Sequence, residues 1–227
     1  MAPVRTLFAA VLTFTLAQAA AAQKPVAIPT EDGGMVYADL YGEGQRAIVL
    51  AHGGPFNKES WEKQAQTLAD AGFRVLALDF RGYGKSRGPG DSNPLSAPLH
   101  LDVLASVRYL RKMGAKTVSV VGSSMGGSAA GDACIASHPG EIDRVVMLGA
   151  APNGPADKLK CPSLFIVARD DASGAGPRLP RIRAQYEKAT QPKELIILEG
   201  SAHAQYLFHT DQAKRVMQEI LRFLSAE

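Results

Sequence analysis

The sequence predicts an α/β fold, an open, doubly wound, mostly parallel sheet with helices on both faces and no cap domain. Three observations carry that expectation. Apolar runs of strand length alternate with amphipathic stretches of helix length from residue 47 onward. The runs are aliphatic on both faces instead of alternating, which marks strands buried inside a parallel sheet. No stretch between them is long enough to hold an inserted domain. Strand–helix alternation of this kind winds a sheet with helices on either side.

The first 22 residues stand apart from that pattern. Met1–Arg5 carries one positive charge, residues 7–16 form an apolar run broken only by threonines, and Ala20-Ala21-Ala22 precedes Gln23. A bilayer span needs about 20 apolar residues, so this run is too short for an anchor and reads as a cleaved secretory signal. The cut has no cysteine beside it for lipid attachment. The expected mature chain is residues 23–227, one α/β domain, periplasmic or secreted. The formal net charge of +3, one unit of it from Arg5, is scattered without blocks of like sign. Nothing in it points to a nucleic-acid partner or to stable membrane insertion.

Strands are predicted over residues 47–51, 74–79, 117–121, 144–148, 163–167 and 194–198, with 26–28 and 35–40 as an antiparallel edge. Helices are predicted over 58–71, 99–112, 125–137, 179–188 and 211–224. In 99–112, Leu101, Leu104, Val107, Tyr109 and Leu110 recur at near-helical spacing. Residues 87–97, rich in Gly, Pro and Ser, read as a plain surface connection. Residues 149–162 leave room for a loop only, so the site is expected to be open. Export would permit a disulfide between Cys134 and Cys161. The residues themselves favour two buried, unpaired thiols packed as small hydrophobes, neither of them catalytic.

Residues 117–121 run straight into Gly122-Ser-Ser-Met-Gly126-Gly127, and a helix follows at once. This is G-x-S-x-G in a strand, sharp turn, helix context, which presents Ser124 as a nucleophile. The turn strains the serine backbone, and glycines two before and two after it avoid clashes with the adjoining elements. The helix start behind it turns free N–H groups toward developing negative charge. A phosphate-binding loop would need a lysine after the last glycine, and none is there. No H-E-x-x-H occurs either, so no metal and no cofactor are expected.

His52-Gly53-Gly54-Pro55, then Asp79-Phe-Arg81-Gly82-Tyr-Gly84-Lys-Ser86, then the Ser124 turn, resemble the α/β-hydrolase superfamily from residue 47 to the C-terminus. The 102–111 segment resembles that of compact, lidless dienelactone-hydrolase-like esterases. Those carry a cysteine nucleophile where this chain has Ser124, so their substrate is not carried over. The resemblance implies an acid after the nucleophile and a histidine last. Ala168-Arg169-Asp170-Asp171 fits the acid loop with Ala168 in place of the usual glycine, making Asp171 the acid. Asp170 then turns outward, within reach of Arg169 or Arg178. Gly200-Ser-Ala-His203 resembles the histidine loop. His203 would move the proton of Ser124, and Asp171 would hold its tautomer. The oxyanion hole would use the N–H groups of Gly54 and Met125, since Pro55 has none.

His52 is expected to shape its loop, and His100, His138 and His209 receive no role. Phe56, Trp61 and Tyr206 fall near the rim, as an acyl pocket or as ordinary packing. Asp79 and Arg81 read as a structural pair beneath the site. The expected function is cleavage of an accessible small-molecule ester through an acyl-enzyme on Ser124. Peptide, thioester or perhydrolytic use of the same triad is the alternative, and a non-catalytic binding protein of this fold is a further one.

Overall fold

The computed structural model describes residues 23–94 and 96–226, so the expected signal segment lies outside the described residues. In chain order the strands are β1 (Lys24–Pro29), β2 (Met35–Tyr41), β3 (Arg46–Ala51), β4 (Phe73–Leu78), β5 (Thr117–Ser123), β6 (Val145–Leu148), β7 (Ser163–Ala168), a short hairpin of β8 (Ala172–Ser173) and β9 (Gly176–Pro177), and β10 (Lys193–Leu198). The helices are α1 (Glu62–Asp70), α2 (Leu99–Lys112), α3 (Met125–Ala136), α4 (Leu179–Lys188) and α5 (Ala213–Ser225). Every expected strand forms, and its ends move by no more than two residues. The helix expected from residue 58 opens as a 3-10 turn, Lys58–Trp61, because Asn57 Oδ1 accepts the Ser60 N–H at 3.2 Å and tightens the first turn.

Eight strands form one sheet in the order β1-β2-β4-β3-β5-β6-β7-β10. β2 runs antiparallel to both neighbours, and every pair from β4 through β3 to β10 is parallel. β6 and β7 are buried throughout, which explains their unbroken aliphatic runs. One side of the sheet packs against α2, α3 and Ile182 of α4. The other packs against α1 and α5. On α5, Val216, Ile220, Phe223 and Leu224 form a single buried stripe. Burying each such side chain contributes roughly 1.5–3 kcal/mol, so a charge at Ile220 would strip the helix from the sheet.

Strand order reverses next to β3. The chain leaves β3 for β4 on one side, then returns to place β5 on the other. Loops after β3 and β5 therefore part at their carboxyl ends and open a crevice, which is where doubly wound sheets hold ligands. The β6–β7 connection carries only the 3-10 turn Ala156–Lys158, and among the described residues no cap covers the crevice.

Three expectations change. Cys134 and Cys161 are joined in a disulfide, with Cα atoms 6.6 Å apart, and are not free thiols. Close packing explains it: Gly131, one turn earlier on α3, has no room for a β-carbon against Pro152 and Met147, so the helix lies near enough for the bridge. Asp79 and Arg81 are not partners. Arg81, fully buried, binds Asp102 of α2 through Nε at 2.9 Å and a terminal nitrogen at 2.7 Å, and Asp32 in the β1–β2 turn at 2.5 Å. Asp79 instead accepts the Lys58 N–H at 2.8 Å, and burial raises its pKa. The third change concerns the 87–97 connection, whose Pro94 and Ala97 wall the cavity at Ser124.

Candidate active site

The turn after β5 is built on close approach. A β-carbon on Gly122 would strike the Gly126 carbonyl, and one on Gly126 would strike the carbonyl oxygens of Ala51 and His52. The first turn of α3 is thereby pressed against the loop that follows β3. Between the two glycines, Ser124 takes φ 50° and ψ −113°, a region that costs on the order of 1–3 kcal/mol for a residue with a β-carbon. Its own N–H donates to Leu148 O at 2.9 Å, which fixes the strained residue to β6.

His203 stands opposite. Its Nε2 lies 2.7 Å from Ser124 Oγ and its Nδ1 2.8 Å from Asp171 Oδ2. A carboxylate only accepts, so Nδ1 carries the hydrogen and the Nε2 lone pair faces the serine hydroxyl. Asp171 is fully buried. Its loop is held by Arg169 N–H to Leu198 O at 2.8 Å and Asp170 N–H to Gly200 O at 3.0 Å, continuing the β7–β10 pairing past the strand ends. That pairing turns Asp171 inward and leaves Asp170 exposed.

The expected surface partners differ. Arg169 pairs with Glu199 at 2.9 Å, and Arg178 pairs with Asp171 at 3.3 Å, not with Asp170. The β8–β9 hairpin causes this by folding back so that Arg178 N–H donates to Asp171 O at 2.8 Å.

The two expected oxyanion donors lie on the elements that flank the serine, Met125 directly after it and Gly54 in the loop after β3. Met125 is the first residue of α3, so its N–H has no intrahelical partner. Gly54 follows β3, and a β-carbon there would meet nothing within 4 Å. His52 shapes this loop, as expected. Its Nδ1–H donates to Gly53 O at 2.8 Å and its Nε2 accepts from Phe80 N–H at 3.2 Å. Burial pushes its pKa down to about 4.

Gln205 was not singled out by sequence. It is 2 % exposed, and its side chain accepts from Gly53 N–H at 3.4 Å while donating to Ser60 Oγ at 2.7 Å. Ala204, at φ 52°, turns the chain so that His203 and Gln205 face different partners. One short segment therefore ties the histidine loop to the loop bearing Gly54. Only its position two residues after His203 hinted at this.

Phe56 and Tyr206 pack against each other with ring centroids 4.9 Å apart and planes tilted by 57°, whereas Trp61 is buried core packed on Phe208. A cavity of about 330 Å³ opens at Ser124, lined by Arg178, Asp132 and His100 among others. His100, given no role by sequence, thus reaches the site, while His138 and His209 are exposed and make no contact with it. The described residues hold no cluster of three or more side chains able to bind a metal.

Residues 46–227 match the family described as the alpha/beta hydrolase fold, and the chain belongs to that family. Among curated relatives it is 30% identical over 125 residues to a non-heme haloperoxidase of Rhodococcus erythropolis, covering 55% of this chain and 44% of that one. It is 41% identical over 83 residues to bifunctional epoxide hydrolase 2 of Sus scrofa, covering 36% of this chain and 14% of that one. The chain thus spans less than half the length of these relatives. Among solved structures, an esterase of Pyrococcus furiosus matches with a TM-score of 0.72 at 19% identity, over 95% of this chain and 96% of that one. A dienelactone hydrolase of Anabaena variabilis matches with a TM-score of 0.70 at 20% identity, over 90% of this chain and 97% of that one. Likeness at this identity speaks to the fold alone.

Proposed function

We propose that the chain is a serine hydrolase that cleaves carboxylic esters through an acyl-enzyme on Ser124. The observation that carries this is the unbroken hydrogen-bond chain from Ser124 through His203 to buried Asp171. Ser124 Oγ attacks the ester carbonyl carbon while its proton passes to His203 Nε2. The carbonyl electron pair moves onto oxygen, which the N–H groups of Gly54 and Met125 receive. Collapse expels the alcohol, and His203 returns the proton to it. Water then repeats the sequence on the acyl-serine and frees the acid. Asp171 accepts the Nδ1 hydrogen and steadies the imidazolium.

The nucleophile argues against opening an epoxide directly, because a serine alkoxide would leave an ether that water cannot readily release. A second reading, transfer of the acyl group to peroxide instead of water, draws support from the haloperoxidase relative. Both readings need acyl-Ser124. Ser124→Ala is expected to lose on the order of a millionfold in kcat, with fluorophosphonate labelling abolished and the circular dichroism spectrum unchanged. A tenth of wild-type esterase activity in the pure variant would exclude Ser124 as nucleophile.

Export through residues 1–22 is part of the same proposal, and the Cys134–Cys161 disulfide supports it, since such bridges persist in oxidising compartments. The mass of the exported protein should begin at Gln23.

A further inference from the structure

The cavity beside Ser124 has a donor and acceptor pattern that selects its ligand. Arg178 places its Nε against Asp171, and its two terminal nitrogens make no hydrogen bond among the described residues. His100, at the start of α2, likewise has no side-chain partner among the described residues. The same lining carries Asp132, on α3 about two turns past Ser124. It accepts from Asn153 Nδ2 and from Gly154 N–H, both at 2.9 Å, and no cation pairs with it among the described residues. A carboxylate offers about four lone-pair sites, so acceptor capacity remains. Ser128 donates its hydroxyl hydrogen to Ala151 O at 2.8 Å and faces the cavity as an acceptor.

We propose that this cavity binds a hydroxyl-rich group, and that the substrate is an ester of a sugar or similar polyol. The inference rests on the reading of Ser124 as an esterase nucleophile. Three ligand chemistries compete for such a lining. A carboxylate satisfies Arg178 and His100 but meets Asp132 as a like charge. An ammonium group suits Asp132 and meets Arg178. A hydroxyl gives and takes a hydrogen bond, so several of them serve both kinds of wall with no charge opposed. A plain alkyl group strips water from these polar side chains and returns nothing. The volume of about 330 Å³ sits at the lower end of small-molecule sites, about 300–1,000 Å³, which suits one ring.

The test compares four acetyl esters on the full chain, two of them matched in size. 6-O-Acetylglucose and cyclohexylmethyl acetate share the acyl group and a primary alcohol on a six-membered ring. Acetylcholine and acetoxyacetate supply the cationic and anionic arms. The sugar ester is expected to exceed the other three by at least tenfold in kcat/KM. Asp132→Asn and, on a separate element, His100→Ala should each shrink its lead over cyclohexylmethyl acetate to about threefold or less. Two variants guard against a folding defect in either one.

Equal or faster turnover of the cyclohexyl or a charged ester overturns the subsite and leaves the serine-esterase reading standing. A lead untouched by both variants overturns it too, as does fluorophosphonate labelling without turnover of the sugar ester. Absence of both labelling and turnover on all four esters removes the esterase reading, and the subsite with it.

Discussion

Adjacent carboxylates at 170 and 171 meet opposite fates, and the cause is local. Continued pairing of the β7 and β10 ends points successive side chains to opposite sides, so one acid faces His203 and the other faces water. Replacing the inward acid with Asn preserves shape but offers the imidazole a donor and favours the wrong tautomer. Asp171→Asn is expected to lose about 10⁴ in kcat, while Asp170→Asn stays within about tenfold of the parent. Steady-state rates on one chromogenic ester decide it, and the reverse ranking would move the acid to Asp170.

His52 carries a second consequence at this scale. Burial holds its pKa at about 4, against about 6.5 in the unfolded chain. The unfolded state therefore binds the extra proton first, and the stability this neutral ring contributes above pH 6.5 drains away as pH falls toward 4. The loss at pH 5 comes to about 2 kcal/mol. Urea titrations at pH 7 and pH 5 should give wild type a steeper acid loss than His52→Asn by that amount. Parallel losses would mean that the ring is not buried neutral.

At the scale of elements, Arg81 fastens three pieces together. Its guanidinium joins the β1–β2 turn through Asp32, α2 through Asp102 and the intervening loop through Pro89 O at 3.0 Å. Arg81 and Asp102 are both fully buried, and removing Asp102 strips the Arg81 backbone N–H and Nε of their acceptor and leaves Asp32 as the guanidinium's remaining carboxylate. Asp102→Ala is expected to cost about 3–5 kcal/mol in a denaturant titration. A loss under 1 kcal/mol would show that water reaches the pair.

This network also marks where sequence stops speaking. Strands were legible because burial on both faces writes itself as uninterrupted aliphatic residues, as in β7. The Ser124 turn was legible because steric demand fixes glycines at set offsets. The partners of Arg81 carry no such spacing: Asp32 and Asp102 reach it from separate elements only once the fold exists. The same holds for Gln205 and Gly53, 152 residues apart. Arg178 is expected beside Asp170 and pairs with Asp171 instead, because nothing in residues 172–177 announces a hairpin that folds back on the inward acid. The Cys134–Cys161 pairing was hidden because helix-to-sheet distance is not a property of composition.

For the molecule as a whole, the disulfide closes a loop of 27 residues between the helix behind Ser124 and the strand that leads to Asp171. Chain-entropy arguments value such a closure at about 3–4 kcal/mol. The Cys134→Ser, Cys161→Ser double variant should lose about that much stability, read from urea midpoints, and keep its kcat, since neither sulfur touches the site. A lost kcat with unchanged stability would place the bridge in the chemistry.

β10 is the outermost strand on its side, hydrogen-bonded to β7 alone, and the loop after it delivers His203. A chain growing on the ribosome thus completes the serine's turn long before it owns a base to activate it. On the proposed role of Ser124, that serine stays an ordinary alcohol until the last edge docks, unreactive toward esters and toward fluorophosphonates alike. Newly made chains are then expected to be chemically silent while they fold, and covalent labelling would be a clock that starts only when the sheet is finished.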